Sequence, residues 1–119
     1  MRVRRGDVIL VDYLFSDRTG SKVRPCLVVQ NDRSNQRLDV TIVVAVSNNT
    51  ARAMNVPTQF AIDVSSPAGR QSGLLFNSAV QCENLVTIDC AFVIRKIGTL
   101  ASTTMINIDE CLKAALGLQ

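Results

Sequence analysis

The 119-residue sequence has no histidine and no tryptophan, and aromatic residues make up only 4% of it. Without histidine, the side chain best suited to proton transfer near neutral pH is missing. Zinc would then fall to the four cysteines, Cys26, Cys82, Cys90 and Cys111, none of which pair as CxxC. That spacing argues against a metal site. Three of the four sit inside apolar runs, where a reduced thiol behaves as a small hydrophobe, and this usage fits a reducing cytoplasm. Long hydrophobic runs are lacking too: Ile42 to Val46 falls far short of the roughly 18 to 20 residues that span a membrane. Arg2, Arg4 and Arg5 resemble the start of a signal peptide, but the apolar run behind them, Val8 to Val11, ends at Asp12. It is too short for an export signal. The expectation is a cytoplasmic protein without a membrane segment.

What remains is a chain that is 47% hydrophobic, so its core must be built from Val, Ile, Leu and Ala. Its length suits one domain over residues 1–119 with a core of its own. The net charge of +3 is unevenly spread. Residues 1–70 hold ten basic groups against six acidic, and the remainder holds three against four. Ten of the thirteen cations are arginine, the residue whose fork fits phosphate. A mild basic surplus is equally compatible with an ordinary solvated surface.

Periodicity gives the elements. "VILVDY" after Gly6-Asp7 alternates as a strand, "CLVVQN" is a second, and Leu38 to Val46 is a third, apolar on both faces near its end and so central. "TQFAIDV" after Pro57 reads as a fourth strand. Gly73 to Asn84 reads as one or two more, with Leu75, Val80 and Cys82 pointing inward. Polar loops are expected at Ser16–Val23, Asp32–Arg37, Asn48–Asn55 and Ser65–Ser72. A short irregular or helical piece follows Thr87-Ile88-Asp89, and "FVIRKIGTL" is a last strand. Met105, Ile108, Leu112 and Ala115 then recur at helical spacing, widened by Cys111 and Leu116, in a helix that Ser102 can cap. Short strands followed by one amphipathic helix predict a mainly β fold, a small curled barrel closed by the C-terminal helix.

Arg24 stands where a polar loop meets the apolar second strand, and Ser47-Asn48-Asn49 leave the third. Such strand ends surround a barrel mouth. Arg18 and Lys22 from the first loop and Arg52 from the later one would complete a positive groove suited to a phosphate chain. The competing reading is that Arg24 pairs with a carboxylate, Asp12 or Glu83, and only pins the sheet.

"RGDVILVDY", "FSDRTGSKVRPCLVVQND", "TIVVAVSNNTARAMNVPT", "ENLVTID" and "RKIGTLASTTMINIDECLKAALGL" occur in that order. In this the sequence resembles the MazF/PemK toxins of bacterial toxin–antitoxin modules over nearly its whole length. The resemblance implies a homodimeric SH3-like barrel of the kind shared by MazF, PemK and CcdB. It also implies a metal-independent, cofactor-free endoribonuclease that cuts single-stranded RNA at short sequences. A cognate antitoxin, acidic so that it covers the positive groove, would hold it inactive, the pair binding DNA as a complex. Residue by residue, Arg24 falls on the family's catalytic arginine, and Ser47 falls where most members carry threonine. Glu83 falls on a functional acidic position, and the loop Ser16 to Val23 on the segment that covers the RNA groove. Gln81 departs from the arginine of PemK-like members, and Asn84 from a common glutamine, a change that bears on which base is read. The alternatives on the same barrel are a non-catalytic CcdB-like inhibitor of gyrase and a degenerate member that only binds RNA or a partner.

The chemistry expected of such a site is modest. RNA carries its own nucleophile, the 2′-hydroxyl, and the enzyme need only orient it in line with the phosphorus and neutralise the developing charge. The products would be a 2′,3′-cyclic phosphate and a 5′-hydroxyl. Arg24 can fork onto two phosphate oxygens and the Ser47 hydroxyl can donate to a third. An always-protonated guanidinium makes a poor base. That leaves Glu83 as a candidate base, or as a structural carboxylate that holds Arg24.

Overall fold

Six antiparallel strands form one sheet in the order β4-β5-β3-β2-β1-β6. The computed structural model describes residues 2–13 and 22–119. Strands β1 (Asp7–Tyr13), β2 (Lys22–Val28) and β3 (Val40–Ser47) are followed by the short β4 (Gln59–Ile62), the long β5 (Ser78–Asp89) and β6 (Val93–Thr99). Helices α1 (Asp32–Arg37), α2 (Pro67–Ser72) and α3 (Ser102–Leu116) fill the connections and the end of the chain. The mainly β architecture with a terminal helix is the one the pattern predicted. The sheet curls without closing, since β4 and β6 remain its two edges.

Alternation along the strands divides the core in two. Val8, Leu27, Val44, Val46, Val80 and Cys82 meet Met105, Ile108 and Cys111 of α3 in one cluster. Ile9, Val11, Cys26, Val28, Val43 and Ile88 form the other, joined by Val3. The central strands are therefore apolar on both faces, as their sequence requires. Stripe residues Leu112 and Ala115 pack at the margin of the first cluster, whereas Leu116 is exposed. Ala101, with no side-chain bond, occupies the N-cap of α3 in place of Ser102, and Gly117 ends the helix in the left-handed region at φ 71°.

Two loop expectations are corrected. Asp32–Arg37 is helical because the Asn31 side chain accepts from Ser34 N at 2.8 Å and starts the turn. Asn35 of that helix is buried in a polar cluster, accepting from Gln30 Nε2 at 2.9 Å and Thr41 Oγ1 at 2.7 Å. Within Ser65–Ser72 the stretch from Pro67 is α2, with Ser66 accepting from Gly69 N and proline in the first turn, both ordinary start signals. Thr87-Ile88-Asp89 ends β5, which is one strand of 12 residues, and the short piece expected after it is the 3-10 turn Cys90–Phe92.

Close backbone approaches complete the curl. Gly73 ends α2 at φ 73°, and a Cβ there would lie 2.0 Å from the Ile97 carbonyl oxygen. A Cβ on Gly98 would lie 2.3 Å from the Gln71 carbonyl oxygen. Glycine at both positions is what lets α2 lie against β6. At the other end Gly6, at φ 96°, donates to Val28 O at 2.9 Å and accepts from Leu100 N at 2.9 Å. The buried Asp7 beside it accepts from Arg4 N at 2.9 Å and pairs with Lys96 at 3.2 Å.

A candidate active-site groove

The register of β2 settles where Arg24 stands. Lys22, Val23 and Arg24 are strand residues, paired across β1 with Tyr13, Asp12 and Val11. The arginine is thus the third residue of β2 rather than its doorstep, because pairing with β1 extends the strand through residues whose own sequence is polar. Arg24 is exposed and lines a groove of about 730 Å³.

Segments far apart in sequence build this groove. β1 supplies Leu10, β2 Arg24 and Pro25, and β3 the run from Ala45 to Ser47 with Asn48 after it. β5 supplies Ser78, Gln81 and Asn84, β6 supplies Arg95 and Ile97, and one wall is Gly73 to Phe76. Among the described residues that line it there is no aspartate or glutamate, and Arg24 and Arg95 supply positive charge.

Ser47 ends β3 half-buried and its Oγ accepts from Asn49 N at 3.1 Å. Lone-pair capacity is thereby spent on the turn while the O–H remains a donor. Asn49 in turn accepts from Ala51 N at 3.2 Å, so the turn after β3 is braced locally.

Asn84 reaches the groove through an irregularity. Consecutive β3 residues Val44 and Ala45 pair with Leu85 and Gln81, so Cys82, Glu83 and Asn84 bulge out of the ladder. Asn84 Nδ2 donates to Gln81 Oε1 at 2.7 Å, giving an amide pair at the groove surface. Glu83, in the same bulge, is exposed and does not line the groove; its carboxylate accepts from Gln59 Nε2 at 2.6 Å. The buried Gln59 leaves its Oε1 unsatisfied.

Of the remaining sequence candidates, Asn48 lines the groove and Lys22 lies two residues before Arg24, exposed, without lining it. Arg52 lies in the exposed turn after β3, where its carbonyl accepts from Asn55 N and Val56 N. Arg18 lies outside the described residues, as do positions 16–21 of the covering loop. Sequence reading missed Arg95 and Phe76. It also expected Leu75 inward, yet Leu75 is 82% exposed on the groove wall and Phe76 is 66% exposed beside it. The one signal in the sequence was that "GLLFNS" follows a glycine that ends a helix, so its apolar residues need not share the strand's alternation.

The thiols lie away from this site. Burial pushes Cys26 up to about 12, and burial followed by the nearby charges of Cys111, Glu83 and Asp109 does the same to Cys82. Among the described residues no three Cys, Asp or Glu side chains converge as metal ligands, and no helix is long and apolar enough to cross a membrane.

Comparison with known proteins adds the family. A model described as PemK-like, MazF-like toxin of type II toxin-antitoxin system matches residues 4–116. The chain is 35% identical over 121 residues to endoribonuclease EndoA of Bacillus subtilis, covering 99% of this chain and 97% of that protein. It is 32% identical over 119 residues to endoribonuclease MazF of Staphylococcus epidermidis, covering 98% and 92%. A solved mycobacterial endoribonuclease in complex with its cognate antitoxin has the same fold, with a TM-score of 0.76, 24% identity and coverage of 98% and 97%.

Proposed function

The chain belongs to the PemK-like, MazF-like toxin family of type II toxin–antitoxin systems, and from that premise we propose that it is a cytoplasmic endoribonuclease toxin, one domain over residues 1–119, that cuts single-stranded RNA. One observation carries the reading: an open groove, lined by Arg24 and Ser47 and, among the described residues, by no carboxylate, on a chain whose full-length relatives are endoribonucleases. In this reading Arg24 forks onto the scissile phosphate and neutralises charge as the ribose 2′-oxygen attacks. Ser47 donates to a further phosphate oxygen. The exposed Phe76 offers a face on which an unstacked base can lie. Gln81 and Asn84 offer amides to a base edge. Glu83 braces Gln59 beneath the bulge and so positions Asn84. The reaction needs no metal and leaves a 2′,3′-cyclic phosphate and a 5′-hydroxyl.

The partners follow from the same surface. An acidic antitoxin segment would fill the groove and compete with RNA for the two arginines. The active form is a homodimer, which sedimentation at micromolar concentration tests: a species of 13.0 kDa alone would contradict it. The activity is tested by incubating the purified protein with mixed single-stranded RNA in EDTA and mapping the fragment ends. Defined cuts that fall roughly 100- to 1000-fold in rate in Arg24→Ala are expected. Unbroken RNA would overturn the reading, in favour of a gyrase inhibitor if gyrase stalls and of a binding-only member if it does not.

A further inference from the structure

The arginines of this chain divide by what they touch. Arg2 donates to the carbonyls of Asn35 and Leu38, Arg5 to that of Val29 and to Asp109, and Arg70 to that of Ser65. Those cations hold the fold. Arg95 differs. It is exposed, lies in the middle of β6 and lines the groove, and it makes no hydrogen bond or ion pair with any described residue. Its neighbour Lys96 pairs with the buried Asp7 at 3.2 Å. The register on β1 separates the two, with Lys96 opposite Ile9 and Arg95 opposite Leu10, itself a groove residue.

Strand β1 also fixes how far apart the two groove arginines are rooted. Arg24 pairs with Val11 from one side of β1, and Arg95 pairs with Leu10 from the other. Two strand spacings put β2 and β6 about 10 Å apart. Roots at that spacing let the two long side chains reach successive phosphates of one extended strand. Among the described residues that line the groove, no carboxylate competes for Arg95.

We propose that Arg95 holds a second phosphate of the bound RNA, not the one being cut, so that the strand runs across β1 from the Ser47–Arg24 side towards β6. This deepens the ribonuclease reading and rests on it for the identity of the strand. A contact made equally before and during the chemical step strengthens binding without changing turnover. Arg95 therefore acts on affinity, and it does so regardless of base sequence.

The test measures binding by fluorescence anisotropy, on mixed-sequence single strands with 2′-O-methyl riboses that cannot be cut, over a series of salt concentrations. Arg95→Gln should bind on the order of tenfold more weakly across all pools. The slope of log affinity against log salt should be less steep by about 0.7, the share of one phosphate on a single strand. Arg95→Lys should keep the slope and lose part of the affinity, because the charge stays and the fork does not. An unchanged slope in Arg95→Gln would overturn the proposal, as would a loss confined to pools sharing one base. A slope unchanged for RNA but lowered for a polyglutamate peptide would also overturn it and assign Arg95 to a protein partner. Wild-type protein that binds these strands with the expected arginine dependence, yet leaves ordinary RNA uncut, would remove the nuclease reading and keep the phosphate position. Failure to bind any strand would remove the proposal itself.

Discussion

At position 47 a serine presents a hydroxyl that its own turn already orients. The bond from Asn49 N occupies the oxygen at 3.1 Å and leaves the proton to donate, which substitutes for the rotamer restriction a threonine methyl would give. Ser47→Ala should lower the single-turnover cleavage rate by roughly 100- to 1000-fold, while Ser47→Thr should cut at least as fast as the native chain. Full activity in the alanine variant would exclude the hydroxyl from the chemistry. Arg24 was legible in the sequence because it stands just before proline at the start of an apolar run. Arg95 was not, although it sits in an equally visible Arg-Lys pair. Alternation says only that the two residues face opposite ways, and which side holds the groove depends on the pairing of β6 with β1, almost 90 residues distant in the chain.

Elements were most legible where local signals agree. The cores of β1, β2 and β3 and most of the α3 stripe followed the apolar period, with Leu116 exposed, but boundaries and short helices did not. β2 begins at Lys22, inside a polar stretch, because β1 offers partners to its backbone. α1 and α2, of six residues each, are too short for a periodic stripe, so only Asn31, Ser66 and Pro67 announced them. The contact of α2 with β6 matters most for the site, since Gly73 to Phe76 leave α2 as one groove wall. Gly98→Ala would drive a methyl to 2.3 Å from the Gln71 carbonyl oxygen, and the expected loss is about 1 to 3 kcal/mol. A lower urea midpoint at unchanged m-value checks this. A midpoint equal to that of the native chain would mean the two elements stand further apart.

Across the whole molecule, the two-sided sheet explains both the cysteine chemistry and the arrangement of the site. Cys26 belongs to one cluster and Cys82 to the other, and burial raises both from an ordinary 9.0 to about 12. A raised value means the folded chain keeps protons that the unfolded chain gives up. The two thiols therefore contribute fully below pH 9 and lose that contribution as pH climbs towards 12. Each removes about 1.4 kcal/mol of stability per pH unit in that window. Urea unfolding in reductant between about pH 8 and pH 10 should show the decline, and Cys26→Ala with Cys82→Ala should make it shallower. An identical slope in the double variant would locate the alkaline sensitivity elsewhere.

Local pattern in the sequence was enough to determine the strand cores, the terminal helix, the Arg24–Pro25 junction and the family resemblance, because alternation, helical period and fixed motifs act within a few residues. Only the tertiary structure decided that Arg24, Ser47, Asn84 and Arg95 share one groove and that Glu83 turns aside to Gln59. Those outcomes depend on pairing register, on one bulge in β5 and on the close approach of α2 to β6. These are long-range contacts whose geometry no short window of sequence carries.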